Sequence, residues 1–149
     1  MKITGITLML LVLPVVTMAI ETSSPDQTPG SDFHLPECPG TPNCVSSLAK
    51  DPAKKVEPFI LKGDSTRSMA LLAGIIKSSS RAAVISSSSD SIIAEYRSLL
   101  GFVDDVLFVL SPDGEVIHVR SASRSGTWDL GVNRRRVEKI RKRYLESGY

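Results

Sequence analysis

The sequence predicts an α+β domain: a four-stranded antiparallel sheet of two hairpins, with two helices packed on one face. Three observations carry this. Apolar patterns follow one another as helix, four strands, helix. Ser111-Pro112-Asp113-Gly114 separates two alternating runs and marks a hairpin turn. The two helical segments each carry one apolar stripe: Met69, Leu72, Ile75 and Ile76 in the first, Val137, Ile140 and Tyr144 in the second.

The chain opens with Lys2, an apolar run from Leu8 to Val16, and small residues at Thr17 and Ala19. This is the layout of a secretory signal over 1–19, cleaved after Ala19. The alternative is an uncleaved anchor helix in the inner membrane, although Gly5 and Pro14 weaken a span of that length. No cysteine lies near the cleavage region, which excludes a lipoprotein. Both readings put the remainder in an extracytoplasmic space, periplasmic or secreted. Residues 20–36 are rich in Ser, Pro, Thr, Asp and Gly and read as a flexible lead-in to one domain over 37–147.

That domain starts with Cys38 and Cys44, separated by two prolines and a glycine. In an oxidising compartment the pair forms a local disulfide. A metal or redox pair is the rival reading, but the spacing is not Cys-x-x-Cys and His34 is the only nearby nitrogen ligand. Asp64 or Ser65 caps the first helix, and Ser78-Ser79-Ser80 ends it. Ala82 to Ile85 and Ile92 to Leu100 read as strands joined by a serine-rich turn. A three-residue loop at Pro112–Gly114 would pair Val109 with Ile117, Leu107 with Val119 and Asp105 with Ser121. Leu107, Val109, Ile117 and Val119 then face the helices, and Phe108, His118 and Arg120 face away. Asn133 is the expected N-cap of the last helix.

Composition narrows the function classes. The 149 residues are 42% apolar and 23% charged, which is ordinary for a globular chain. Aromatics make up only 5%, too few for a nucleic-acid stacking platform. The net charge of +2 hides an asymmetry: residues 1–119 hold 9 basic and 13 acidic side chains, residues 120–149 hold 9 and 3.

The basic end carries the candidate chemistry. Arg134, Arg135 and Arg136 open a helix whose N-terminus is already about +0.5 charged. Asp104, Asp105 and Asp129, or an anionic ligand, would offset them. Arg120, Ser121, Ser123, Arg124, Asn133, Arg134 and Arg135 supply guanidinium forks, hydroxyls and a helix start, the parts of an oxyanion site. The plainer reading is a salt-bridge network fastening loop to sheet. Arg120, Arg124, Arg134 and Arg135 are expected to gather with Asp104 or Asp105 near the helix start, with Arg136 directed elsewhere. Asp104 and Asp105 point to opposite faces and cannot form a joint acid/base dyad. A serine hydrolase can be drawn from Ser121, Ser123 or Ser125 with His118 and an Asp orienter. Trp128 serves equally well as core or as ligand platform. No metal-ligand set, phosphate-binding loop or dinucleotide fingerprint occurs, so no cofactor is implied.

Cys38-Pro39-Gly40-Thr41-Pro42-Asn43-Cys44-Val45-Ser46-Ser47 resembles the opening motif of the family catalogued as domain of unknown function 1499. The segments Ala94–Ser98, Gly101–Val106, Val119–Gly126 and Asp129–Glu138 resemble its later motifs in order, with Trp128 departing slightly. The resemblance spans Leu35 to Leu145. It implies bacterial and plastid proteins, often with export signals, and no activity. The combined expectation is a non-catalytic cell-envelope module that binds an anionic component or a membrane surface, not nucleic acid. A small serine-type hydrolase and a structural adaptor of an envelope complex are the alternatives.

Overall fold

A computed structural model describes residues 35–148. The signal segment at 1–19 and most of the lead-in lie outside the described residues. The elements run β1 (Cys44–Ser46), β2 (Phe59–Ile60), α1 (Ser65–Lys77), β3 (Ala82–Ser87), β4 (Ser91–Arg97), β5 (Val103–Leu110), β6 (Val116–Ser123) and α2 (Val132–Glu146). The sheet is antiparallel, in the order β1-β6-β5-β4-β3, with β2 also on β6. It therefore has six strands where four were expected. β1 and β2 are too short to show a period, and each exists only through pairing with the distant β6.

Both helices cover the same face. Met69, Leu72, Ile75 and Ile76 of α1 and Val137, Ile140 and Tyr144 of α2 are buried against Ile92, Ala94, Val106, Phe108, Ile117 and Val119 of the sheet. Phe59 sits at the centre, edge-on to Phe108 at 5.3 Å and to Tyr144 at 5.6 Å. The Tyr144 hydroxyl donates to the Ile60 carbonyl and accepts from the Lys62 amide, tying α2 to β2. Asp64 caps α1 by accepting from the Arg67 amide at 2.7 Å. Cys38 and Cys44 are joined by a disulfide. Among the described residues, no helix is long and apolar enough to cross a membrane.

The β5–β6 register differs by one residue from the expected one. Leu110 pairs with Ile117, Phe108 with Val119 and Val106 with Ser121. The loop has four residues, because side chains close it. The Ser111 hydroxyl accepts from the Val116 amide and Asp113 accepts from the Glu115 amide, while Gly114 adopts φ 73°. The slip exchanges the faces of β5 alone. Phe108 and Val106 enter the core, Leu107 and Val109 lie on the open face, and β6 keeps Ile117 and Val119 inward. Ile92 to Leu100 is likewise not one strand. β4 ends at Arg97, and Ser98–Phe102 forms a turn closed by a 2.8 Å bond from the Ser98 amide to the Phe102 carbonyl.

Between β1 and β2, Ser47 completes the ladder. Its amide donates to the Val119 carbonyl and its hydroxyl accepts from the Val119 amide. The register makes a testable distinction. Phe108→Ala should cost about 3–5 kcal/mol in denaturant unfolding. Leu107→Ala, on the open face, should cost well under half of that; equal losses would contradict the observed pairing.

Candidate functional site

The start of α2 is built around Asn133, which is not its N-cap. Gly131, at φ 74°, takes that position and has no side chain to offer. Asp129 caps instead. One carboxylate oxygen accepts from the Gly131 amide, the other from the Asn133 amide and side-chain amide, all at 2.8 Å. Burial opposes ionisation of Asp129, but those hydrogen bonds together outweigh it and hold its pKa below the ordinary value. Its charge offsets both the helix dipole and the arginines behind it.

Asn133 is fully buried one turn further in. Its side-chain amide also donates to the Asn43 carbonyl and the Ser123 hydroxyl, and its oxygen accepts from Ser121 at 2.6 Å and Arg136 at 2.6 Å. Arg136, expected to point elsewhere, is the arginine that turns inward. It pairs with the buried Asp104, is itself largely shielded from solvent, and lies 4.8 Å from the centre of the Tyr96 ring.

The other arginines do not gather. Arg120 and Arg124 lie on the open face of the sheet. Arg124 bridges Asp105 and Glu95, whose hydrogen bonds raise its pKa. Arg120 is half-buried with its Nε unpartnered, and burial lowers its pKa although Asp105 opposes this. Across the sheet, Arg134 donates to the carbonyls of Lys55 and Ala53, and Arg135 to that of Leu130. The expected cluster of Arg120, Arg124, Arg134 and Arg135 is thus split between two faces, because consecutive strand residues alternate. Asp104 and Asp105 are separated in the same way. His118 lies on the open face at 3.1 Å from the Ser47 hydroxyl, while Ser121 and Ser123 bond to Asn133 on the other face. Burial lowers the His118 pKa. The drawn Ser–His–Asp set is therefore not assembled. Among the described residues, no group of side chains is arranged to hold a metal ion.

What the structure does form at this end is an open groove of about 1140 Å³ between α2, the Ser98–Phe102 turn and the loop before α2. Its rim is apolar and solvent-facing: Leu99 and Leu100 are each 84% exposed, Trp128 70%, Leu130 64%, Phe102 53% and Val132 39%. Its lining holds six basic and two acidic side chains. Both acids, Asp104 and Asp129, are already engaged. Among the described residues, Lys139 has no side-chain partner, and Arg143 contacts only neutral acceptors: the Ile75 carbonyl, Ser79 and Ser78. Tyr96 lines the inner wall, its hydroxyl buried without a well-directed partner. Leu130 adopts φ 54°, a left-handed conformation that costs a non-glycine residue about 1–2 kcal/mol, and Arg135 holds its carbonyl. Sequence reasoning reached Trp128 and missed the leucines. The available signal was Ser98-Leu99-Leu100-Gly101, a turn sequence whose exposed positions are apolar.

Two outcomes follow for the network. Arg136→Met should cost about 3–5 kcal/mol, since it leaves Asp104 buried and unpaired, whereas Arg124→Ala, at an exposed and solvent-screened pair, should cost far less. Thermal and urea unfolding would read both. Asp129 has a folded-state pKa below its unfolded one. Its contribution is therefore complete above the ordinary Asp pKa of about 3.9 and is lost as pH falls through the lower folded value. Asp129→Asn should cost about 1 kcal/mol at neutral pH and make the acid limb of the stability profile shallower.

The model of the family described as "Protein of unknown function (DUF1499)" matches residues 34–144. No curated protein and no solved structure matches the chain. The matched stretch takes in the disulfide turn, the whole sheet, both sides of the groove and nearly all of α2, and on that extent the chain belongs to the family of proteins of unknown function DUF1499.

Proposed function

We propose that the domain is a non-catalytic binding module of the cell envelope, and that its ligand is an anionic amphiphile held in the groove beside α2. The observation that carries this reading is the distribution of exposed apolar side chains. Among the described residues, six of the ten large hydrophobics that remain exposed line this one groove. Exposed patches of that kind mark interaction surfaces. The same lining is net +4, counting its six basic and two acidic residues. An apolar chain would lie against the rim, and an anionic head would face Lys139, Arg135 and Arg143. The export signal and the disulfide turn support an extracytoplasmic setting.

The anion recognition expected of Arg120, Arg124 and Arg134 moves to this groove in the proposal, because none of those three side chains lines it: Arg120 and Arg124 lie on the other face of the sheet and Arg134 reaches to the segment before β2. A non-catalytic role fits the neutralised acids and the serines at the end of α1, whose hydroxyls serve the helix carbonyls.

The test is a thermal-shift titration with dodecyl phosphate, kept below its micelle concentration, against dodecyltrimethylammonium. Dodecyl phosphate at tenfold its Kd should stabilise the protein by about 1.4 kcal/mol. The cation should not, and Lys139→Glu should weaken the effect. No stabilisation by dodecyl phosphate, or the same stabilisation by both amphiphiles, would refute the reading.

A further inference from the structure

We infer that the rim of the groove docks on the surface of an anionic membrane, with the Ser98–Phe102 turn and the Trp128–Leu130 segment entering the lipid interface as two prongs. This rests on the amphiphile reading above and names the source of the amphiphile as a bilayer.

The first prong is closed by hydrogen bonds within the turn. Besides the 2.8 Å bond from Ser98 to the Phe102 carbonyl, the Gly101 amide donates to the Ser98 carbonyl, and the Phe102 amide donates to the Ser98 hydroxyl at 3.0 Å. Gly101 at φ 85° supplies the left-handed step. The turn thus bonds to itself at Ser98, Gly101 and Phe102 and projects Leu99 and Leu100 into solvent, where such turns ordinarily carry polar residues. Nothing local explains the two leucines. The second prong carries the single tryptophan of the chain, a residue that favours membrane–water interfaces. It is fixed at its base by Asp129 and by the Arg135 bond to Leu130.

Charge selects the occupant. Arg81 flanks the first prong, beside Arg97, which is ion-paired with Glu95, and Arg135 and Lys139 flank the second. Each basic residue close to an anionic leaflet contributes about a fivefold gain in binding. A second copy of this face would carry the same net +4 and be repelled. Protruding leucines also suit a fluid surface that closes around them, whereas a folded acidic protein would have to supply a matching pocket for each.

The single tryptophan gives a readout independent of how the N-terminal segment behaves. The purified exported protein is mixed with vesicles of phosphatidylglycerol and phosphatidylcholine in equal parts, and Trp128 emission is recorded. A blue shift, salt-sensitive and quenched by acyl-brominated lipid, is the expected result. Phosphatidylcholine vesicles alone should produce none. The double variant Leu99→Asp, Leu100→Asp should require at least tenfold more lipid for the same shift, with an unchanged melting temperature, while Leu48→Asp on another surface should behave as wild type. No shift with the anionic vesicles, an equal shift with phosphatidylcholine, or an unaffected double variant would overturn membrane docking. Stabilisation by monomeric dodecyl phosphate without any vesicle effect would overturn the docking and leave the groove reading standing. A vesicle shift without dodecyl phosphate stabilisation would support the docking and refute the ligand groove.

Discussion

The structure depends on a single buried amide. Asn133 joins the disulfide turn through the Asn43 carbonyl, β6 through Ser121 and Ser123, the capping carboxylate of Asp129, and the buried guanidinium of Arg136. Each polar atom of its side chain is used, which is what a fully buried amide requires. Its two N–H groups are shared among three acceptors and its oxygen has two donors, so the amide becomes an orphan in a low-dielectric interior only when both donors, or two of the acceptors, are lost. Arg136 can be buried only because Asp104 and Asn133 receive it. α2 can begin with three arginines only because Asp129 neutralises the free amides there. The orientation of α2, and with it one wall of the groove, follows from this one knot.

Its consequence for the basic segment is a division of labour. Arg136 serves the interior. Arg134, Arg141 and Arg143 fasten α2 to backbone carbonyls of the segments before β2 and at the end of α1. Arg143 meets the last carbonyls of α1, where the helix dipole favours a cation. A run of like charge that looks like a ligand site in sequence is largely a set of clamps reaching out from one helix. Arg143 lines the groove as well, together with Arg135 and Lys139.

Much of the fold was legible. The α1 cap and stripe, the apolar stripe of α2 and the order of the hairpins all follow from local periodicity and turn residues. The β5 faces did not, because the register hangs on whether the side chains of Ser111 and Asp113 close the turn, and Pro-Asp-Gly alone does not say so. By residue type alone Asn133 reads as a cap. The true cap lies four residues upstream, and only the geometry of Asp129 shows it. The arginine cluster was misjudged through the same β5 and β6 alternation that separates Asp104 from Asp105. The groove was hidden for a different reason. Leu99 and Trp128 are far apart in the chain, and what makes them neighbours is the packing of β4, β5 and α2, which no local pattern encodes.

The place of β6, between β5 and the two short strands, also sets an order of assembly. β3, β4, β5 and β6 form a meander of neighbours in the chain and need only short loops to close. β1 and β2 lie near the start of the described chain, yet apart from a local bridge between Ser46 and Lys55 they pair with β6, near its end. A chain delivered N-terminus first therefore presents β1 and β2 as unpaired strands until almost everything else has arrived. The Cys38–Cys44 loop has a sequence separation of only 6 and needs no distant partner. It can close as soon as both thiols meet an oxidant, so the turn that will later receive Asn133 is shaped before the amide that locks it exists in folded form.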